Sequence, residues 1–382
     1  MRTTLVLSYW NLNRCVSGGV RRIHGLLSAL GSSVLLCQPG EPHPLYRTVP
    51  YSMNFGRRKV GINWGMFNFL WPANARLVRR LIREEKPVLV VLTSTWNYFP
   101  LTACAEIPMV LDAHDVNAVA VGERLGHGHP FTRMVKGWEA RTVRRMNRVF
   151  ACSSIDRDMF MSLYGLPADR VSVVPNGVSV ADFDAVTPPW NLDGALEERL
   201  RGATVLFFMG ELSYQPNRAA LSFLDGVVLP ELERREPGGF RLLVCGGPVP
   251  SGRFHPSMVF AGQLPDDALR RCMKRADICL APIMTGSGTR LKVLEYMAAR
   301  KPVVTTAKGA EGIACESGRD IVVSSPEQFC DDIMALASDR AKVSRIGEAG
   351  YSLVKAKYDW DAAIKPLWRN TLSRWIDLQK EG

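Results

Sequence analysis

The segment from Ala281 to Thr306 carries the residues whose types and spacing are best suited to chemistry. It reads APIMTGSGTRLKVLEYMAARKPVVTT. The pattern predicts a strand that ends near Ala281, a loop rich in Gly, Ser and Thr, and a helix that begins near Thr289. The first N–H groups of a helix have no partner within the helix, and the helix dipole is positive at that end. This position therefore suits a diphosphate.

Two cations and one carboxylate extend that interpretation. Arg290 and Lys292 add positive charge beside the predicted helix start. Glu295 follows roughly 9 Å along the helix axis from Thr289, where a carboxylate can accept both hydroxyls of a ribose. The loop and helix together predict a site for a nucleoside diphosphate. Its candidate contacts in this segment are Ser287, Gly288, Thr289, Arg290, Leu291, Lys292 and Glu295.

The first half of the chain offers two further candidate groups. His114 and Asp115 end the predicted strand PMVLDAHD, so the histidine can hydrogen-bond a ligand hydroxyl or stabilise developing charge. The alternative is a structural histidine that packs against a neighbouring aspartate. Gly18 and Gly19 lie between the first predicted strand and helix, where glycine permits close approach of a ligand to the backbone. The alternative there is an ordinary tight turn.

Strands and helices alternate along the chain in two successive runs. The strands are continuous Val/Leu runs, which is typical of parallel sheets covered on both faces. We predict an α/β protein with two Rossmann-like, doubly wound domains that face each other across a cleft. The predicted organisation is a first domain over 1–185, a linker over 186–202, a second domain over 203–355, and a C-terminal helix within 356–382 that crosses back to the first domain.

Composition places the chain among ordinary globular proteins. Of its 382 residues, 47% are apolar and 22% charged, and no apolar run is long enough to span a membrane. The first apolar run is too short for a signal peptide, so we expect a cytoplasmic protein. The nine cysteines include no C-x-x-C pair, so we expect buried free thiols, among them Cys152, Cys245 and Cys279.

Positive charge is concentrated in the first part of the chain. Residues 1–150 hold 20 Lys and Arg against 8 Asp and Glu, whereas residues 151–382 hold 28 against 29. A basic domain attracts polyanions or an anionic membrane surface, and the alternative is a solvated basic surface. Nucleic acid is disfavoured because no recognised module accompanies the charge.

On these motifs the chain resembles the family-4 glycosyltransferases, which have the GT-B fold, and is most similar to bacterial sugar transferases of exopolysaccharide systems. The matching segments are TRLKVLEYMA (289–298), PVVTT (302–306), VPNGV (174–178), and the stretch from FFMG (207–210) to Pro216-Asn217. The resemblance implies retaining transfer from a nucleoside diphosphate sugar, with UDP favoured. It also places Gly18, Gly19, Gly210 and Asn217 beside the donor and His114 beside the donor sugar.

Three positions depart from the family's pattern. Ser287 stands where the family often has a glutamate, and Glu211 and Asn217 stand where it tends to have an arginine and a lysine. The usual cationic clamp on the diphosphate is therefore missing. We expect Arg290 and Lys292, with a contribution from Arg218, to supply that charge.

We expect neither a metal nor another cofactor. Asp156-Arg157-Asp158 has the spacing of a metal-binding D-x-D motif, but it opens a predicted helix, where aspartate is a common cap or first-turn residue. The expected acceptor is a lipid-linked or polysaccharide intermediate, and a small natural-product aglycone or pseudosaccharide is the alternative. A nucleotide-sugar epimerase and a non-catalytic sugar-nucleotide-binding protein of the same architecture also remain open.

Overall fold

The computed structural model describes residues 3–13, 18–30, 34–51, 72–97, 107–286 and 288–377, without the side chains of 373–377. The chain divides into two compact units, and each is built on a parallel sheet. One unit comprises Met1–Asn176 with Ile364–Gly382, and the other comprises Gly177–Ala363. This is the two-sheet architecture that the strand–helix alternation predicts.

The first unit has a seven-stranded sheet in the order β3-β2-β1-β4-β5-β6-β7. Its strands are β1 (Thr4–Leu7), β2 (Val34–Pro39), β3 (Arg47–Tyr51), β4 (Leu89–Leu92), β5 (Met109–Asp112), β6 (Arg148–Ala151) and β7 (Val171–Val173). Its helices are α1 (Gly18–Leu30), α2 (Pro72–Glu85), α3 (Asn117–Leu125), α4 (Pro130–Arg145) and α5 (Ser154–Tyr164).

The central strands of this sheet have buried side chains on both faces. All four residues of β1 are buried, and Leu5 lies in register with Leu35 on one side and Val90 on the other. Because parallel strands end at the same edge of the sheet, the loops after β1, β4 and β5 come together there.

The second unit has a six-stranded sheet in the order β10-β9-β8-β11-β12-β13. The strands are β8 (Thr204–Met209), β9 (Phe240–Cys245), β10 (Met258–Gly262), β11 (Ile278–Ala281), β12 (Val303–Thr305) and β13 (Val322–Val323). The helices are α6 (Val180–Asp184), α7 (Gly194–Leu200), α8 (Gln215–Phe223), α9 (Leu229–Arg235), α10 (Asp266–Arg275), α11 (Leu291–Ala298), α12 (Ala307–Ala310), α13 (Phe329–Ala337) and α14 (Arg340–Lys357). A π-helical turn, Leu224–Val228, joins α8 to α9.

The last helix, α15 (Lys365–Asp377), belongs to the first unit, as the sequence predicts. Trp368 is buried and its ring packs edge-on against Phe150 at 4.5 Å between centroids. Arg369 Nε donates to the carbonyl of Ala29 at the end of α1 over 2.8 Å. Aromatic packing and this hydrogen bond hold α15 on the first unit.

The division between the units differs in position from the predicted boundary at residue 185. Val178 N donates to the carbonyl of Tyr358 over 2.8 Å, and Val180 N donates to Asp359 Oδ2 over 3.0 Å. These bonds hold the chain after Asn176 on the second unit. The predicted linker, 186–202, contains α7 and contributes the buried Leu200 to the core of that unit.

Several smaller expectations are confirmed. Cys152, Cys245 and Cys279 are buried free thiols. Within the described parts of the chain, no helix combines the length and the apolar character that crossing a membrane requires.

Candidate active site

The loop between β11 and α11 makes a turn that two glycines permit. Gly286 has φ of 106° and Gly288 has φ of 77°, a region that other residues rarely adopt. Helix α11 begins at Leu291, whereas the sequence predicts a start near Thr289. The difference arises because Arg290 has extended backbone angles (φ −81°, ψ 93°) and so stands as the cap residue. Ser287 lies outside the described residues.

Arg290 and Thr289 line the approach to the first turn of α11. Arg290 Nη2 donates to the carbonyl of Gly286 over 2.6 Å and so closes the loop on itself. Thr289 is only 9% exposed, and its hydroxyl has no hydrogen-bond partner among the described residues. A buried hydroxyl without a partner costs free energy unless a ligand or water satisfies it.

Lys292 brings a positive charge to the end of strand β8. Its ammonium donates to the carbonyl of Met209 over 2.7 Å and to Asn217 Oδ1 over 2.8 Å. It also lies 4.5 Å from the centroid of the Phe208 ring. Desolvation, helped by the positive charge of Arg290 and opposed by Glu295, lowers the pKa of Lys292 to about 7. An ammonium has three N–H donors, so two protein acceptors leave it able to bind a further anion.

Gly210 and Asn217 lie beside that ammonium. A Cβ on Gly210 would lie 2.5 Å from Asn217 Nδ2 and 3.0 Å from Lys292 Nζ, so the close approach requires glycine. Asn217 Nδ2 donates to the carbonyl of Glu211 over 2.9 Å, which leaves its Oδ1 facing Lys292. Asn217 stands where the resemblance expects a lysine, and the structure places the Lys292 ammonium beside it.

Leu291 and Glu295 occupy the more accessible side of α11. Both are partly exposed, whereas Leu294, Met297 and Ala298 are buried in the core. Tyr296 is fully buried, and its hydroxyl accepts a hydrogen bond from Met209 N over 2.9 Å. Sequence reasoning missed Tyr296, because its aromatic ring reads as ordinary core.

In the first unit, His114 lies against Gly19 and Trp10. A Cβ on Gly19 would lie 2.9 Å from His114 Nδ1. The imidazole stacks on Trp10 with centroids 4.7 Å apart and planes inclined by 23°. Gly18 and Gly19 are the first two residues of α1, whereas the sequence places them in the loop before it. Gly19, the second of this pair, therefore lies against His114.

An anchored aspartate lies behind the histidine. His114 Nε2 is 3.3 Å from Asp112 Oδ2, although the angle is too poor for a hydrogen bond. Asp112 Oδ1 accepts from Arg22 Nε and Nη2 over 2.9 and 2.6 Å. Burial alone would raise the pKa of Asp112, but Arg22 and His114 outweigh it and hold that pKa below its usual value. The aspartate therefore stays ionised.

Arg22 is a buried, charged residue behind His114 that the sequence did not reveal. It is 1% exposed, and its Nη1 also donates to the carbonyls of Val174 and Pro175 and to Asn176 Oδ1. Its long, paired side chain lies at a helical position that reads as surface. The sequence suggests only that a neighbouring aspartate, Asp112 or Asp115, packs against His114.

His114 and Asp115 line a cavity of about 160 Å³ at the ends of β1, β4 and β5. The other lining residues are Tyr9, Trp10, Thr93, Ser94, Thr95, Trp96, Ala113 and Asn117. The lining combines aromatic rings with hydroxyl, amide and carboxylate groups. Such a lining suits a small polyhydroxylated ligand with apolar faces.

The aspartates of the D-x-D sequence have local roles. Asp156 is in the first turn of α5, where its N–H donates to Ser153 Oγ and its carboxylate accepts from the same hydroxyl. Asp158 pairs with Arg157 at the surface. The prediction of a first-turn role for Asp156 is confirmed.

The two halves of the chain match two family descriptions. Residues 16–182 match Glycosyltransferase Family 4, and residues 203–339 match Glycosyl transferases group 1. A D-inositol 3-phosphate glycosyltransferase from Nocardia farcinica is 27% identical over 63% of this chain and 56% of its own length. A glycogen synthase from Mycobacterium tuberculosis is 25% identical over 93% of this chain and 91% of its own.

Solved structures resemble the whole chain. Sucrose-phosphate synthase from Thermosynechococcus elongatus superposes with a TM-score of 0.76 at 15% identity, over 99% of this chain and 100% of that one. The Anabaena protein HepE, solved in complex with UDP-glucose, gives a TM-score of 0.74 at 14% identity, over 98% and 100%. At this identity the likeness concerns the fold. The family descriptions cover most of the sequence, and the chain belongs to the family-4 glycosyltransferases and has the GT-B fold.

Proposed function

We propose that this protein transfers a sugar from a nucleoside diphosphate sugar, with UDP-sugar favoured, to an acceptor, with retention of the anomeric configuration. The observation that carries the proposal is the position of Lys292. Its ammonium lies within 2.8 Å of Asn217 Oδ1 and of the Met209 carbonyl, in the first turn of a helix whose N–H groups favour an anion. The partnerless Thr289 hydroxyl independently supports a ligand there.

In this proposal the diphosphate lies at the start of α11. Lys292 and Arg290 replace the missing clamp, because Glu211 and Asn217 carry no positive charge. The backbone at Gly210 and Gly288 allows the phosphates to approach, and Glu295 accepts the ribose hydroxyls. Positive charge placed on the departing diphosphate stabilises the charge that develops as the glycosidic bond breaks.

The anomeric carbon of the donor sugar is assigned to a position beside the His114 imidazole, and the cavity next to the imidazole is left for the acceptor. The imidazole is oriented by Trp10 and Gly19 and backed by the ionised Asp112. In that position it can hydrogen-bond a sugar hydroxyl or stabilise positive charge at the anomeric carbon. Asp115 follows His114 in the chain, and Gly18 precedes Gly19 at the start of α1. The reaction uses no metal in this proposal. The leaving phosphate takes the place of a protein base and accepts the proton of the acceptor hydroxyl.

The proposed acceptor is a lipid-linked or polysaccharide intermediate at an anionic membrane face. The support is the basic surface of the first unit. Helix α2 exposes four arginines and α4 exposes five basic residues: Arg76, Arg79, Arg80, Arg83, Arg133, Lys136, Arg141, Arg144 and Arg145. Each exposed basic residue near an anionic surface contributes about 1 kcal/mol. This favours a charged, membrane-held acceptor over a neutral aglycone.

A thermal-shift panel of UDP-, GDP- and dTDP-sugars tests the donor proposal. A ligand at 100 times its Kd stabilises the native state by about 2.7 kcal/mol, so the correct donor should raise Tm clearly, and UDP-sugars are expected to do so. Arg234→Gln, which changes an exposed arginine on α9, is the control and should respond like the wild type. If no sugar nucleotide shifts Tm or is turned over, the proposal fails.

A further inference from the structure

Helix α4 holds two walls of the His114 cavity through a buried network. Glu139 is fully buried, and its carboxylate accepts four hydrogen bonds. Oε1 accepts from Asn117 N and Asn117 Nδ2, both over 3.0 Å. Oε2 accepts from Ala118 N over 2.9 Å and from the Tyr164 hydroxyl over 2.6 Å. Because Val116 gives α3 no side-chain cap, Glu139 supplies that cap from another helix.

The neighbouring residues of α4 hold the loop after β4, which contributes Thr95 to the cavity. Trp138 Nε1 donates to the carbonyl of Thr95 over 2.9 Å, and the Thr142 hydroxyl lies 3.4 Å from the same oxygen. Thr95 and Asn117 both line the cavity. Asn117 Nδ2 joins the walls by donating to Thr95 Oγ1 over 3.1 Å. The loop after β4 and the start of α3 are therefore held at a fixed separation.

This network determines which donor and which acceptor of Asn117 and Thr95 remain available to a ligand. A carboxylate only accepts, so the amide nitrogen of Asn117 must face Glu139. Its two N–H groups donate to Glu139 and Thr95, which leaves Oδ1 as an acceptor. Thr95 Oγ1 already accepts from Asn117, so its own O–H is left as a donor. A ligand hydroxyl, which both donates and accepts, satisfies the two together.

We propose that this cavity binds one sugar ring of the acceptor through Asn117 and Thr95, and that Glu139 is the positioning residue that sets their hydrogen-bonding polarity. The proposal rests on the transferase function proposed above and adds the chemical class of the acceptor's reacting end. The aromatic rings of Tyr9, Trp10 and Trp96 supply apolar surface for the C–H faces of such a ring. The cavity volume of about 160 Å³ suits a ligand group of the size of one monosaccharide unit.

The test measures binding of methyl α- and β-glycosides of glucose, galactose, mannose and N-acetylglucosamine by saturation-transfer NMR titration. Thr95→Val keeps the shape and the carbonyl but removes the hydroxyl, and it should lower the affinity for the glycoside roughly tenfold. Asn117→Asp places a second carboxylate against Glu139 and should lower that affinity further. Glu139→Gln removes the carboxylate that orients the Asn117 amide, and it should weaken glycoside binding while UDP affinity stays as in the wild type.

The controls separate this proposal from folding and from the transferase assignment. Glu123→Gln changes an exposed carboxylate on α3 and should bind glycosides as the wild type does. Tm and UDP affinity are measured for every variant, and Thr95→Val keeps the test valid if a charge variant fails to fold. The cavity assignment is overturned, while the transferase assignment stands, if UDP binds but no glycoside saturates the wild type. It is also overturned if Thr95→Val and Asn117→Asp bind the glycoside as tightly as the wild type does. Failure to bind any nucleotide overturns the transferase assignment itself.

Discussion

A lysine held by neutral oxygens is the residue on which donor binding depends most. Lys292 donates to a backbone carbonyl and a side-chain amide, and neither carries a full negative charge. Its desolvated ammonium has a pKa lowered to about 7. An arriving diphosphate stabilises the charged form, so binding and protonation of Lys292 are coupled.

That coupling predicts a pH-dependent affinity for UDP. Below pH 7 Lys292 is already charged in the free protein. Above pH 7 it is increasingly neutral, so binding must take up a proton, and affinity should fall by up to about tenfold per pH unit. Calorimetry in buffers of different ionisation enthalpy should count close to one proton taken up at pH 8. Lys292→Met should bind UDP weakly and without that uptake. An affinity that is independent of pH between 7 and 9 would contradict the assigned role.

The residues that the sequence could and could not predict differ in a physical way. The sequence indicates Arg290, Lys292 and His114 because the helix dipole disfavours cations at a helix start unless an anion binds there, and because ligands bind at the carboxyl ends of parallel strands. Arg22 and Glu139 were missed because each lies on a helix where charge is usually solvated. Only the tertiary structure shows that these two side chains point inward, where each is matched by several hydrogen bonds.

At the scale of elements, helix α11 is fixed to the end of β8 by two side chains one turn apart. Lys292 donates to the carbonyl of Met209 and Tyr296 accepts from its N–H. One residue of the strand thus sets the height and rotation of the helix. Glycines at 210 and 246 allow the neighbouring backbone to pack closely, since a Cβ on Gly246 would lie 1.9 Å from the Gly210 carbonyl oxygen.

Tyr296→Phe should separate the structural role of this contact from the binding role. The change leaves Met209 N buried without a partner, and we expect a loss of about 1–3 kcal/mol in the free energy of unfolding. UDP affinity, measured under conditions in which the variant is fully folded, should fall much less than in Lys292→Met. Urea denaturation and calorimetry measure the two quantities. The account of the helix anchor is wrong if stability is unchanged.

Element types were predictable from sequence, whereas element edges were less so. Buried Val/Leu runs identified the parallel strands, since both faces of such strands are covered. Helix α11 begins at Leu291 and not at the predicted Thr289, because the glycine turn leads into extended backbone angles at Arg290. The stretch 186–202 reads as a linker from its proline and glycine content, yet Leu200 gives α7 a buried anchor.

At the scale of the whole molecule, charge and chemistry are divided between the two units. The first unit carries the excess of basic residues, the cavity at His114 and the network from α4. The second unit is nearly neutral in sequence and carries the cationic site at the start of α11. We expect this division to reflect an acceptor held on the first unit and a donor held on the second.

Hydrogen exchange of the full chain with and without UDP tests the central claim most directly. The account predicts slower exchange in peptides that cover residues 209–218 and 288–298, because the phosphates bind backbone and side chains there. Lys292→Met should lose most of that protection at the same UDP concentration. Bound UDP that leaves both peptides unprotected, with slowed exchange confined to residues before 176, would contradict a donor site at the start of α11.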